Sequence, residues 1–323
     1  MIDHPSAEDL KSWLHAQVAA SLDIDPAELR FSLLSKPEVA DGTTVAAVND
    51  AAGRRRAVVL CSTPAYPDMV ERAMSRANEA KTLLGPVIGA PILDPLTTGR
   101  VNGLSYTVLP YCDRLTDARP FWWIQRAVLR PALFDWLCQS NKRSVSAVPP
   151  GEIDHRFFTP LRHVASESAL SEHLRFAAKE AIARLDSGAW TPKHVLMHGD
   201  LWKGNILLRR EKGTHHWQRW GRRFAVIDWP GSSLQGYAIY DLVRLAQSMR
   251  TSSQSVRHEL GRHCAVLQCQ PVDAKCHLLA ALGHIAMTRE SFPMAIYVRM
   301  AETCLTTIEH ALLRDKKELI PCR

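Results

Sequence analysis

The segment HGDLWKGN, at residues 198–205, is polar and has a short apolar run on each side. Val195 to Met197 precede it, and Ile206 to Leu208 follow it. A similar arrangement comes later, where the run FAVI at 224–227 leads into Asp228. Short apolar runs bounded by polar and glycine residues are typical of buried strands. The sequence therefore predicts polar side chains at the ends of neighbouring short strands.

Three oxygen-bearing side chains in this region have the spacing that phosphoryl transfer from Mg·ATP uses. Asn205 comes five positions after Asp200, and Asp228 follows the next apolar run. The phosphoryl group in transit carries spread negative charge, which metal ions neutralise, and Mg²⁺ prefers oxygen ligands. We therefore predict that Asn205 and Asp228 hold Mg²⁺ and that Asp200 accepts the proton of an attacking hydroxyl group. ATP is the expected phosphoryl donor.

Lys203 lies inside the same segment, between the predicted base and the first predicted metal ligand. Its ammonium group would stabilise negative charge on the γ-phosphate, so we assign Lys203 to the catalytic residues. A solvated lysine with no chemical role is the competing interpretation.

The ordered residues His198-x-Asp200-x4-Asn205, followed by Asp228-Trp229, resemble the aminoglycoside phosphotransferase family of the protein-kinase-like superfamily. The segment GYAIYDL at 236–242 also matches that family, in which a glycine and an Asp-Leu pair open the next helix. Trp229, in place of the phenylalanine of protein kinases, favours the small-molecule branch. The match is strong over about residues 195–245 and weaker over 30–115.

The resemblance implies an α+β, protein-kinase-like fold with two lobes. A small N-terminal β-sheet lobe with one main helix would bind the nucleotide, and a larger, mostly helical C-terminal lobe would carry catalysis and substrate binding. On this chain it implies a helical extension at 1–29, an N-lobe at 30–110 and a C-lobe at 111–323. His198 would then orient the catalytic loop, and Asp241 would accept hydrogen bonds from the backbone of that loop.

The predicted N-lobe departs from the family at one position. Residues 67–84 read as an amphipathic helix, and Glu79 falls where the family places a glutamate that pairs with a third-strand lysine. The third strand holds no lysine, and Cys61 is the nearest match to that position. Glu79 is therefore either a nucleotide-site residue or a helix-surface residue paired with Arg72 or Arg76.

Two loops would contact the nucleotide if the resemblance holds. The loop from Lys36 to Gly42 would cover the phosphates, although its single glycine equally fits a plain hairpin turn. Tyr111 and Cys112 would form the hinge where backbone groups meet adenine, because Pro110 has no N–H to donate. An ordinary connector is the alternative for this second loop.

Length, charge and composition limit the classes of protein. A chain of 323 residues can form two lobes with a substantial core. No apolar run is long enough for a transmembrane segment, and the N-terminus lacks a signal-peptide pattern, so we expect a cytoplasmic protein with its eight cysteines reduced. The net charge of +7 favours anionic partners such as nucleotide, phosphorylated substrate or a membrane surface. No nucleic-acid motif is present, and we expect no nucleic-acid partner.

Three further segments leave alternatives open. Residues 121–139, rich in large apolar side chains with arginines between them, form either a buried helix or a surface for lipid or an amphipathic substrate. Arg209 to Arg223 is either a solvated turn or a patch for an anionic substrate or membrane. The histidines and cysteines at 263–277 have no paired Cys-x2-Cys spacing, which favours packed helices over a zinc site.

These features predict an ATP-dependent phosphotransferase that transfers the γ-phosphoryl group to a hydroxyl of a small molecule. Sugars, amino alcohols, aminoglycoside-like compounds and lipid-linked saccharides all fit the family. The basic segment and the Trp-rich helix favour an anionic or membrane-associated saccharide, handled at the inner face of the membrane. The alternative is a kinase-fold binding or regulatory protein with little or no transfer activity, because the strand lysine is missing.

Overall fold

The computed structural model describes residues 7–35, 43–209, 224–288 and 293–313, with side chains from residue 15 onward. The chain divides into two compact units, of which the first takes residues 1–125 and 204–231 and the second takes 126–203 and 232–323. Antiparallel sheets dominate the first unit and helices the second. The predicted fold class is confirmed, whereas the functional division into 1–29, 30–110 and 111–323 stays a prediction.

The first unit contains a five-stranded antiparallel sheet in the order β1-β2-β3-β5-β4. Its strands are β1 (Arg30–Ser35), β2 (Thr44–Asn49), β3 (Arg55–Cys61), β4 (Thr97–Val101) and β5 (Leu104–Pro110). Val, Leu, Thr and Tyr predominate in the interior strand β5, because branched and aromatic side chains suit a pleated surface that is buried. A second sheet of three short strands, ordered β10-β9-β6, comprises β6 (Cys112–Arg114), β9 (Ile206–Arg209) and β10 (Phe224–Val226).

Different helices cover the two faces of the larger sheet. On one face, Val18 of α1 (Ala7–Leu22) packs in a cluster with Val59 of β3, and Cys61 lies against the same cluster. On the other face, Leu60 of β3 and Met74 of α2 (Met69–Ile88) pack in a separate cluster. Successive strand side chains point to opposite faces, which explains the separation.

The second unit is built from helices around a small sheet ordered β11-β8-β7. The helices are α3 (Arg119–Ser144, which starts in the first unit), α4 (Thr159–Ser166), α5 (Glu172–Asp186), α6 (Tyr240–Ser248), α7 (Ser253–Leu267), α8 (Pro271–Thr288) and α9 (Met294–Leu312). The strands are β7 (Ser146–Ala147), β8 (Lys193–Met197) and β11 (Ser233–Tyr237). α8 supplies much of the core, with a run of buried residues from Cys276 to Gly283.

Helix α3 is buried in its later turns and exposed in its first turns, and its contact with lipid or an amphipathic substrate stays a prediction. Its later turns are buried through Leu129, Leu133 and Leu137. Its first turns leave Phe121 58% and Trp123 64% exposed. The first half of the helix therefore presents aromatic side chains to solvent, and the second half belongs to the core. In the described part of the chain, no helix combines the length and the apolar character needed to cross a bilayer.

Two predicted features lie outside the described residues. The loop from Lys36 to Gly42 is one, and the basic segment beyond Arg209 is the other. Arg209 itself is described, and its guanidinium donates a hydrogen bond to the carbonyl of Ala90.

Two buried histidines make the stability of the second unit sensitive to acid. Burial lowers the pKa of His263 to about 4 and that of His277 to about 3, from 6.5. His277 lies edge-on to Trp190 at 5.0 Å between ring centroids. Because the folded pKa is depressed, the unfolded chain takes up protons below about pH 6.5 while the folded chain does not. Stability is therefore lost as pH falls from there.

We expect each of these histidines to cost about 2 kcal/mol of folding free energy at about pH 5. The measurement is chemical denaturation between pH 8 and pH 5 for the wild type and His277→Leu. The variant, which cannot bind the proton, should show a shallower loss of stability with falling pH. Equal slopes for the two proteins would contradict the assignment.

Candidate active site

The loop that carries Asp200 follows directly after β8 and is held by a buried carboxylate. The backbone N–H groups of His198 and Gly199 donate to the two carboxylate oxygens of Asp241 at 2.6 and 3.1 Å. Asp241 lies in the first turn of α6 and is 5% exposed. Burial raises the pKa of Asp241 to about 7, although the two N–H donors and Arg244 act to lower it. Asp241 accepts backbone donors of the loop, as predicted.

Two residues near the hydrogen bonds between the loop and Asp241 have positive φ angles. Gly199 has a φ of 86°, a left-handed conformation that glycine adopts at little cost. Ile239, just before α6, has a φ of 73°, which is rare for a β-branched residue. Such strain persists only where the surrounding structure enforces it, and it is concentrated at functional sites. The conformation of Ile239 sets the start of α6 and so the position of Asp241.

Hydrogen bonds hold the loop around Asp200, whose side chain is exposed. The backbone N–H of Asp200 donates to Nδ1 of buried His198 at 3.3 Å, which gives His198 the structural role that the resemblance implied. The indole Nε1 of Trp202 donates to Oδ2 of Asp200 at 3.2 Å. The backbone N–H of Lys203 donates to Ser248 Oγ at 3.1 Å, which ties the loop to α6. Asp200 is exposed, so an acceptor can reach its carboxylate.

The two predicted metal ligands lie at one end of a hairpin in the first unit. Strand β9 begins just after Asn205, β10 ends just before Ile227, and Ile206 pairs with Val226 in antiparallel register. The N–H of Ile227 donates to the carbonyl of Asn205 at 3.0 Å, so Asn205 and Asp228 stand on neighbouring strand ends. The sequence predicted that Asn205 and Asp228 lie at the ends of adjacent strands, and the antiparallel pairing of β9 and β10 explains this arrangement.

The chemistry of this pair fits Mg²⁺. Asn205 is 8% exposed and offers an amide oxygen, and exposed Asp228 offers a carboxylate. Asp228 has a φ of 70°, a conformation that aspartate tolerates better than most residues. The next residue, buried Trp229, fixes this turn by donating from Nε1 to the carbonyl of Val226 at 3.0 Å. Their roles as ligands stay a prediction.

Cys61, the sequence match to the missing strand lysine, packs on the α1 face of the sheet. The β3 side chain that packs with α2 is Leu60, which is apolar. The alignment of Cys61 with the lysine position stays a prediction. Glu79 accepts hydrogen bonds within its own helix, from Ser75 Oγ at 3.0 Å and Arg76 Nη1 at 3.2 Å. This agrees with the helix-surface alternative, and a nucleotide role for Glu79 stays a prediction.

The two predicted hinge residues differ in their backbone bonding. The N–H of Tyr111 donates to the carbonyl of Arg56 at 3.1 Å, and its hydroxyl accepts from Arg55 Nη1 at 2.9 Å. Cys112 is buried and pairs with Arg209 across β6 and β9. Because the Tyr111 N–H is already bonded within the protein, it cannot donate to adenine in this arrangement. The contact of either residue with adenine stays a prediction.

Comparison with known families decides the assignment. The model of the phosphotransferase enzyme family (APH) matches residues 41–267. That range is more than half of the 323-residue chain and contains the Asp200 loop and the Asp228 hairpin. The chain belongs to the phosphotransferase enzyme family. The resemblance stated from the HGDLWKGN segment is confirmed.

Several solved kinase structures are similar to this phosphotransferase along most of its length. One is a provisionally named fructosamine-3-kinase from Haemophilus somnus 129PT, at 10% identity and a TM-score of 0.48, with 93% of this chain and 97% of that chain covered. Another is an ethanolamine kinase from Plasmodium vivax, at 11% identity and a TM-score of 0.46, with 95% and 96% covered. A third is a choline/ethanolamine kinase family protein from Mesorhizobium loti, at 15% identity and a TM-score of 0.45, with 96% and 97% covered. No curated protein matches the sequence significantly.

A cavity of about 610 Å³ borders Asp200 in the second unit of this phosphotransferase. Its walls come from the Asp200 loop and from helices α6, α8 and α9. Asp200 is its one acidic lining residue among the described residues, whereas Arg244 and Arg299 are its basic ones. Sequence reasoning missed both arginines, because each is one arginine among many on an amphipathic helix and carries no motif of its own.

Proposed function

We propose that this protein transfers the γ-phosphoryl group of ATP to a hydroxyl group of a small molecule. The observation that carries the proposal is the Asp200 loop. Its backbone is held by the buried carboxylate of Asp241, and its exposed catalytic carboxylate borders a cavity. A volume of about 610 Å³ suits a small-molecule ligand. Membership of the phosphotransferase enzyme family supports the same class of reaction.

The proposed reaction is a direct displacement at phosphorus. The acceptor oxygen forms a bond to the γ-phosphorus while the bond from that phosphorus to the bridging oxygen breaks, and ADP leaves with the electron pair. Asp200 takes the proton of the hydroxyl and keeps its oxygen directed at phosphorus. Lys203 supplies positive charge to the γ-phosphate. Asn205 and Asp228 would hold Mg²⁺, which neutralises charge on the phosphates when bound.

The acceptor that we propose is a sugar or a lipid-linked saccharide. The aromatic side chains Phe121 and Trp123, both exposed on α3, support a lipid-linked form handled at a membrane surface, because aromatic residues suit the interface between lipid and water. Arg126 and Arg130 on the same helix add charge of the sign that anionic lipids attract.

One observation favours a second candidate, a binding or regulatory protein on the same fold. Val58 and Leu60 of β3 alternate with the α1-facing residues, so the α2 face of that strand offers no cation at these positions. A protein without the lysine could bind ATP and transfer its γ-phosphoryl group slowly or not at all. The complete set of Asp200, Asn205 and Asp228 favours the enzyme over this candidate.

Calorimetric titration with ATP, with and without Mg²⁺, tests the metal site that the enzyme needs, and acceptor-dependent ADP release separates the enzyme from the binding protein. We expect binding that requires Mg²⁺ and that weakens at least about tenfold in Asp228→Asn, which removes a negative ligand. The matched control is Asp23→Asn, another exposed aspartate with a positive φ, 54°, in the first unit. Absence of binding at millimolar ATP, or binding that ignores Mg²⁺ and the Asp228 substitution, would contradict the enzyme proposal.

A further inference from the structure

The cavity beside Asp200 contains two arginines that have no carboxylate in ion-pair contact among the described residues. Neither Arg244 nor Arg299 forms an ion pair within the described ranges of the chain. Arg244 reaches one side-chain acceptor there, Gln247 Oε1, at 3.5 Å from Nη1. Its buried Nε has no hydrogen-bond partner among the described residues. A buried donor without an acceptor costs free energy, which a bound acceptor would recover.

Helix periodicity explains why both arginines face the cavity. On α6, Arg244 follows Tyr240 by one turn, and both line the cavity. On α9, Arg299 lies one turn after Ile296 and one turn before Thr303, and all three line it. The hydroxyl of Tyr240 donates to Met300 Sδ at 3.3 Å, which joins the two helices at the cavity wall.

The acidic residues of α9 are engaged elsewhere and do not neutralise Arg299. Glu302 accepts from the backbone N–H of Ser171 at 3.0 Å. Glu309 contacts His173 Nε2 at 2.8 Å. Among the described lining residues, the cavity therefore holds two guanidinium groups against the single carboxylate of Asp200. This balance attracts anions and disfavours cationic amino alcohols.

We infer that the acceptor carries an anionic group, a carboxylate or a phosphate ester, which Arg244 and Arg299 bind while its hydroxyl group meets Asp200. Guanidinium groups suit this task because their planar N–H pairs match the oxygens of carboxylates and phosphates. The inference rests on the proposed function for what happens to the hydroxyl, but the binding of the anion can be measured separately.

The test uses one sugar scaffold with different charges. Glucose, glucosamine, glucuronate and glucose 6-phosphate are each titrated into the full-length protein by calorimetry. We expect at least one of the two anionic sugars to bind at least about tenfold more tightly than glucose or glucosamine. Arg244→Gln and Arg299→Gln should each weaken that binding about tenfold or more. The control is Lys179→Gln, which removes a positive charge from an exposed position on α5 in the same unit.

Each outcome bears on one claim. Equal binding of charged and uncharged sugars, preference for glucosamine, no binding of either anionic sugar at millimolar concentration, or anion binding that survives both arginine substitutions would overturn the inference. Mg·ATP titrations on the same preparations report on the proposed function, and both arginine variants should retain wild-type ATP affinity. If Mg·ATP binding fails while arginine-dependent anion binding persists, the proposed function is lost and the anion site stands. If Mg·ATP binds and arginine-dependent anion binding is absent, the anion site is disproved and the proposed function stands.

Discussion

Asp200→Asn is expected to lower kcat by about a thousandfold with any acceptor that the wild-type protein phosphorylates. An amide cannot take the proton of the attacking hydroxyl, although it occupies nearly the same volume. Its oxygen can still accept the hydrogen bond that Trp202 Nε1 donates to Asp200, so the loop should keep its shape. The affinity for Mg·ATP should change little, because the substitution leaves Asn205 and Asp228 in place.

The measurement is ADP release in steady state, with Mg·ATP affinity measured on the same variant. Asp186→Asn is the control, since Asp186 is an exposed aspartate at the end of α5 in the same unit. It should retain wild-type kcat. An Asp200→Asn protein with more than about a tenth of the wild-type rate would show that another group accepts the proton.

Gly283→Ala is expected to destabilise the second unit by about 3 kcal/mol, or to prevent its folding. A Cβ at Gly283 would lie 2.1 Å from the carbonyl oxygen of Pro160 and 2.5 Å from its carbonyl carbon. Both are backbone atoms, so they can move away only if α4 shifts against α8. Leu161 and Val164 on α4 are fully buried, which opposes that shift.

Thermal and chemical denaturation would measure this effect, and Gly261→Ala is the matched control. Gly261 is also inside a helix, α7, but a Cβ there meets nothing within 4 Å. Alanine is the better helix former, so this control should be neutral or more stable by about 0.5–1 kcal/mol. If Gly283→Ala were as stable as Gly261→Ala, the close packing of α8 on α4 would be wrong.

The sequence alone predicted what depends on residues close together in the chain. The relation between Asn205 and Asp228 follows from one hairpin, and antiparallel pairing of its strands leaves little freedom in where its ends meet. The predicted helices at 67–84 and 121–139 appear as α2 and within α3, because helical periodicity is a local signal. The family resemblance was also recognised from local features, namely the order and spacing of residues in the 198–205 segment and at Asp228-Trp229.

Other features depend on which helices and strands pack against each other in the tertiary structure. The sequence could not show that Leu60, and not Cys61, faces α2, because alternation defines two faces without saying which helix covers each. The sequence also could not show that Glu79 pairs with Arg76 on its own helix and not with a lysine on a strand, because the same position on the helix fits both pairings. The sequence likewise could not show that Trp123 is exposed while Leu133 on the same helix is buried, because this depends on which part of α3 other elements cover.

The sequence by itself determined the class of chemistry, because Asp200, Asn205 and Asp228 stand on short, contiguous elements with a characteristic order. Only the tertiary structure brought Arg244 and Arg299 to the cavity beside Asp200. These arginines come from separate helices whose packing is decided by buried apolar faces across the whole second unit. Local spacing specifies the residues of the phosphotransferase motif, whereas the shape and charge of the cavity beside Asp200 arise from the long-range packing of helices.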